Sequence, residues 1–279
     1  MREKIYGKKG MIFFFVPVII LSGITEVLYC TGGDERLILF LMWIPALAAI
    51  AAVCADFIIG KERFSFKVLL YKTGFKKCKF RYIVLAFIVP FIYLLIPYMI
   101  YWKIYPENFA YNGVGIAVII RDCFPVMVVG FISNMITAIG EEIGWRGFLV
   151  PALFEKIGLF KTLAVTGLFW CCWHLPLLIF GGYMDGTLMW YRIPAFILCI
   201  FPVGMIAGLL SLRTGSVWPA AVLHAAHNNF DQMIFDVITA GDNKAYFVSE
   251  TGFLTIICVW IIAIIMYFRY RRSISENVL

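Results

Sequence analysis

Charge is scarce in this chain. Asp, Glu, Lys and Arg make up 15% of its 279 residues, and histidine occurs three times. With 62% hydrophobic residues and a mean hydropathy of +0.89, that scarcity excludes a soluble globular domain and indicates a polytopic membrane protein. The eight cysteines include no C-x-x-C pair, so neither a disulfide framework nor a thiolate metal site is indicated. There is no H-E-x-x-H, and no repeat, linker or low-complexity tract argues for a second domain. The formal net charge of +7 does not point to nucleic acid. Half of the Lys and Arg lie in residues 1–10 and 61–81, beside apolar runs, where anionic lipid is the natural partner.

Apolar runs, by contrast, are abundant. Eight of them predict membrane-crossing helices at about 11–30, 37–59, 82–102, 126–154, 159–180, 193–212, 217–235 and 253–268. The first is too long for a signal peptide and ends in no small-residue cleavage site, so it reads as an uncleaved span. The fold class is all-α: a polytopic transmembrane helical bundle of about eight spans. Between the second and third, Lys61 to Arg81 interleaves eight Lys or Arg with Phe64, Phe66, Val68, Leu69, Leu70 and Phe75. That is the composition of a short interfacial helix lying on anionic lipid. Residues 1–125 thus hold three spans and the basic segment, 126–235 the unusual polar residues, and 236–279 the last span and a basic tail. Glu26 and Asp56 fall near span ends and are expected to reach the interface.

Basic residues also set an orientation. The first ten residues, the 61–81 segment, Lys156, Lys161, Arg213, Arg269, Arg271 and Arg272 go inside, leaving Arg36, Lys103, Arg121, Arg192 and Lys244 outside. A multi-pass protein of the cell membrane with cytoplasmic N- and C-termini is expected.

Against this background, Gly140 to Phe148 reads G-E-E-I-G-W-R-G-F inside an apolar run. Each charge at a bilayer centre costs roughly 2.5–3.5 kcal/mol on an insertion scale, and a Leu or Phe returns only about 0.3–0.6 kcal/mol. Three such charges point to use rather than tolerance. Glu142 and Arg146 are four apart, share a helix face and are expected to pair as structural support. Glu141 points about 100° away with no partner at i+3 or i+4, so it reads as the free carboxylate. On this stretch alone, a cluster of charges in water beside the membrane stays open as the alternative.

All three histidines fall within predicted spans, where ionisable residues mark function. The fourth and fifth spans form a hairpin turning near residues 157–158. At roughly 1.5 Å per residue, that turn puts Glu141 and His174 level. Trp170 is i,i+4 from His174, so its indole packs beside the imidazole. His224 and Asn228 are likewise i,i+4 and offer two donors to one point, as an oxyanion requires. Helix bridging is the structural alternative. His224 matches the depth of Glu141 only if the seventh span starts deep or the hairpin tilts. His227, Asn229 and Asp231 are expected nearer water. A G-x-x-x-G at Gly204 to Gly208 suggests close packing of the sixth span.

Taken together, E-E-x-x-x-R at Glu141 to Arg146, aromatic-x-x-x-His at Trp170 to His174 and H-x-x-x-N at His224 to Asn228 closely resemble the CAAX-protease and bacteriocin-processing family of intramembrane endopeptidases. The resemblance covers roughly residues 126–235. Trp170 stands where the family usually has Phe, which preserves a ring beside the histidine. The resemblance implies a helical-bundle protease with its site inside the membrane, open toward the cytosol. It implies that Glu141 and His174 activate the hydrolytic water, that His224 and Asn228 form the oxyanion site, and that Glu142 with Arg146 is structural support. The implied substrate is a membrane-associated peptide or protein, prenylated at a C-a-a-X end or bacteriocin-like. No cofactor is expected in the glutamate mechanism favoured here. The alternative is a zinc ion on His174, His224 and Glu141 with water as fourth ligand. A transporter or an immunity protein using the same polar residues is the competing, non-enzymatic class.

Overall fold

The computed structural model describes residues 8–61 and 63–276. They form helices and turns, with one isolated antiparallel bridge between Phe109 and Thr239. In order, the helices are α1 (Lys8–Gly32), α2 (Arg36–Ile59), α3 (Phe66–Lys72), α4 (Phe80–Ile104), α5 (Ile116–Glu142), α6 (Val150–Ile157), α7 (Leu159–Phe180), α8 (Met189–Thr214), α9 (Trp218–Asn228), α10 (Lys244–Phe247) and α11 (Phe253–Glu276). Wide π-helical turns at Ile143–Leu149 and Asn229–Phe235 continue α5 into α6 and extend α9.

Seven helical stretches among the described residues are long and apolar enough to cross a membrane. They are α1, α2, α4, the continuous 116–157 run, α7, α8 and α11. The eighth expected span, at 217–235, is helical but too polar to qualify. It is no lipid-facing crossing, because nearly every side chain on it is buried and it packs against α4, α5 and α8. Its histidines, asparagines and Asp231 are tolerable because other helices, not lipid, surround them. Outward faces stay apolar, as on α5, where Val128, Val129, Ile132 and Ile136 are exposed. Inward, Phe14, Tyr93, Tyr98, Trp145 and Phe148 are fully buried. Lipid is as apolar as those side chains, so close packing and buried hydrogen bonds rather than water exclusion hold the helices together.

The basic segment is exposed only in part. Ser65 caps α3, its Oγ accepting from the Val68 N–H at 3.4 Å, and no residue of α3 is buried. The turn after it dives into the bundle. Gly74, at φ +83°, packs so closely that a Cβ there would lie 2.9 Å from Cα of Gly147. The Val217 N–H donates to the Gly74 carbonyl at 2.9 Å, and Ser216 Oγ donates to that of Lys76 at 2.7 Å. That seating starts α9 deep. Asp56 pairs with Lys72 at 3.6 Å. Glu26 does not reach the interface as expected: it is buried on α1, which packs along α2, and its Oε1 has no partner.

Candidate active site

The C-terminal end of α5 delivers Glu141 and Glu142, α7 delivers Trp170 and His174, and α9 delivers His224, His227 and Asn228. A cavity of about 460 Å³ is lined by Glu141, Trp170, His174, His224, His227 and Asn228. The α6–α7 hairpin turns at Gly158, as expected, and brings Glu141 and His174 to one wall. The depth of His224 is explained by the sunken start of α9. Val217 sits level with Gly147, and His224 lies seven residues further along an antiparallel helix, about 10 Å at 1.5 Å per residue.

Trp170 is the hub. Its indole Nε1 donates to Glu141 Oε2 at 2.8 Å, and its backbone carbonyl is 2.8 Å from His174 Nδ1. Its ring lies edge-on to His174 and His224, centroids 5.5 and 5.3 Å apart, and the Arg146 guanidinium stacks over it at 4.1 Å. A carbonyl can only accept, so the proton of neutral His174 is on Nδ1 and the lone pair on Nε2. Phenylalanine at 170 could fill the space but not donate to Glu141.

Glu141 lacks a charged partner, as the sequence indicates, yet it is not free of one at i+4. Trp145 Nε1 donates to the same Oε2 at 3.3 Å. Both indoles converge on one oxygen, which leaves Oε1 without a protein donor. Glu142 and Arg146 pair at 2.7 Å with both side chains almost wholly buried. Glu142 Oε1 also takes His224 Nδ1 at 2.9 Å, so it anchors the histidine as well as the arginine. Two further groups seat Arg146. Ser211 Oγ donates to its carbonyl at 2.7 Å, and a Cβ at Gly204 would come within 3.1 Å of Nη2 and 3.3 Å of the Trp170 ring. The small residue at 204 therefore makes room for the ion pair. The Asn228 amide, which also lines the cavity, hydrogen-bonds to no group among the described residues.

His227, Asn229 and Asp231, expected nearer water, are all buried, and His227 also lines the cavity. His227 lies between Tyr93 Oη at 2.9 Å and Glu250 Oε1 at 3.2 Å. Asn229 Nδ2 donates to the Met127 carbonyl at 3.0 Å. Asp231 accepts from Tyr98 at 3.1 Å and Ser249 at 2.7 Å. Glu250 also accepts from Tyr183 at 2.9 Å and Gln232 at 3.1 Å, and Glu250, Tyr183 and Gln232 all line the cavity. Sequence spacing could not reveal Glu250, which comes from a turn remote in sequence from the motifs, or Tyr183, which lies beyond the end of α7 where helical spacing no longer applies.

From Glu141 the cavity runs past Thr137, Asn134 and Ser133 on α5 and Met42 on α2, reaching Tyr29, Glu35 and the 181–184 turn. It thus opens at the end of the bundle opposite the 61–81 segment. No group of three or more His, Cys, Asp or Glu among the described residues is placed to hold a metal ion.

Residues 123–230 match the family model described as type II CAAX prenyl endopeptidase, Rce1-like. A curated relative, CAAX prenyl protease 2 of Methanococcus maripaludis, is 29% identical over 137 residues. That match covers 48% of this chain and 47% of the relative, so the chain spans about half the length of the protein it matches. The segment 123–230, which contains Glu141, Trp170, His174, His224 and Asn228, is thus similar to the Rce1-like CAAX prenyl endopeptidases.

Proposed function

We propose that this protein is an intramembrane endopeptidase that hydrolyses a peptide bond of a membrane-associated polypeptide. The observation that carries this reading is that Glu141, His174, His224 and Asn228 all line one cavity between the helices. Each of the four keeps an atom unclaimed by the protein: Glu141 Oε1, His174 Nε2, His224 Nε2 and the Asn228 amide.

In the mechanism, water sits against Glu141 Oε1 and His174 Nε2. Glu141 takes a proton as the water oxygen attacks the scissile carbonyl carbon. The oxyanion is received by Asn228 Nδ2–H and His224 Nε2–H. Glu142, paired with Arg146, accepts a hydrogen bond from the His224 Nδ1–H, so His224 donates from Nε2 when that nitrogen also carries a proton, as an imidazolium. Its hydrogen bond to the oxyanion is then charge-assisted. Collapse breaks the C–N bond, and the proton held by Glu141 passes to the leaving amine through His174. No step is routed through a metal.

The substrate, a C-a-a-X-type prenylated or bacteriocin-like peptide, remains part of the proposal. So does the interaction of the Lys61 to Arg81 segment with anionic lipid, for which exposed α3 supplies the surface. The test is N-terminal proteomics of cells making the parent chain against Glu141→Gln. New N-termini present only with the parent are expected. Identical sets, with both proteins at equal abundance, would favour the transporter or immunity reading.

A further inference from the structure

The position of the cavity mouth and the distribution of basic residues conflict with a site open to the cytosol. Three turns flank the end opposite the mouth together with the 61–81 segment: α6–α7, α8–α9 and the close of α11. That segment and these turns hold fourteen Lys and Arg: eight in 61–81, with Lys156, Lys161, Arg213, Arg269, Arg271 and Arg272. They form one surface, since Arg213 reaches Ser273 at 2.6 Å and Tyr82 at 3.3 Å. The mouth end has five: Arg36, Lys103, Arg121, Arg192 and Lys244. Four of these pair with Asp34, Asp122, Asp185 and Asp236. All the loops are short, the regime in which an excess of Lys and Arg fixes the cytoplasmic face.

No described residue of the basic end lines the cavity. The 73–76 turn is wedged between Gly147 and Val217, and beside it Phe148 stacks on Phe14 with centroids 5.2 Å apart. Access to Glu141 runs instead past Thr137 and Ser133 to Glu35 and the 181–184 turn.

Resting on the proteolytic reading above, we infer that the cavity opens to the extracytoplasmic side, and that its substrate is an exported, membrane-tethered polypeptide of the bacteriocin-like class, not a cytosolic C-a-a-X end, cut near the outer leaflet. Peptide hydrolysis consumes only water, so nothing in the reaction requires a cytosolic co-reactant.

Single cysteines test the orientation, scored as label gained over the parent chain with a membrane-impermeant maleimide. Glu35→Cys at the mouth and Ser133→Cys in its wall are expected to label in intact cells. Lys77→Cys is expected to label only after the membrane is opened. Lys77→Cys labelling in intact cells, with Glu35→Cys silent until permeabilisation, would overturn the inference. Should one mouth variant fail to accumulate, the other still reports. The Glu141-dependent N-termini provide the second arm and are expected on the extracytoplasmic side of their anchors. Cuts on cytoplasmic segments would sink the substrate class while leaving proteolysis intact. Outside labelling with no Glu141-dependent cut anywhere would sink proteolysis and leave the orientation standing.

Discussion

Two buried polar clusters meet at α9, one through His224 and the other three residues on through His227, and they differ in how completely they are satisfied. Around His227, the imidazole and both carboxylates are fully partnered. Both Glu250 oxygens, both Asp231 oxygens and both nitrogens of His227 have partners. Around His224, hydrogen bonds fix orientation and stop there. Glu141 keeps one oxygen, His174 and His224 keep one nitrogen each, and Asn228 keeps its amide. A saturated network in a low-dielectric interior holds helices in place, whereas one with open valences at a cavity is equipped for chemistry. The difference separates the two carboxylate groups better than burial does, since Glu141 and Glu250 are equally buried at 1% exposure.

The sharpest way to break this comparison is to neutralise one carboxylate of each cluster. Glu141→Gln should lower turnover by about 10³-fold or more, within the range for loss of a general base. Its abundance and melting temperature should match the parent. Glu250→Gln should do the reverse, losing thermal stability while the folded fraction turns over normally. Equal effects on stability would erase the distinction.

Glu142→Gln comes next. It strands Arg146 and loosens His224 together, and removing one partner of a buried ion pair costs about 3–5 kcal/mol. Thermal unfolding in detergent should show the loss, with Arg146→Gln alongside as the reciprocal case.

His224→Ala and Asn228→Ala should each cost about 10²–10³ in kcat, the loss of one oxyanion donor. Chelator-treated protein shown by elemental analysis to be metal-free should keep its activity. If chelation stops turnover, stoichiometric zinc restores it and Asn228→Ala is much milder than His224→Ala, the zinc mechanism replaces the one proposed here.

Smaller effects sharpen the role of Trp170. Trp170→Phe keeps the ring against His174 and His224 but removes the donor to Glu141, a hydrogen bond to a charged group worth about 1.5–3 kcal/mol. Turnover should fall roughly ten- to a hundredfold and the melting temperature should drop with the lost bond, and Trp170→Ala, which removes ring and donor together, should lower both further. The mildest change, Tyr98→Phe, leaves one oxygen of Asp231 unpaired. It should cost about 1–3 kcal/mol of stability and no turnover in the folded fraction.

Hydropathy, charge scarcity and i,i+4 spacing by themselves determined that this chain is an all-α membrane bundle, that Glu142 pairs with Arg146, and that Glu141, His174 and His224 are its unusual residues. Those signals are local, or are summed along one helix, and a sequence displays them directly. Only the tertiary structure decided that both indoles share one oxygen of Glu141, that Glu142 holds His224, and that Gly204 clears space for Arg146. It also buried Glu26, His227 and Asp231, which sequence position placed near water. Depth along a span is readable from residue counts only when the helix begins at the membrane surface. The 73–76 turn, tucked between Gly147 and Val217, starts α9 well inside, and that single packing event sets the level of His224. Which end of the bundle the cavity opens toward depends on how loops remote in sequence pack at each end, so it too was decided in three dimensions.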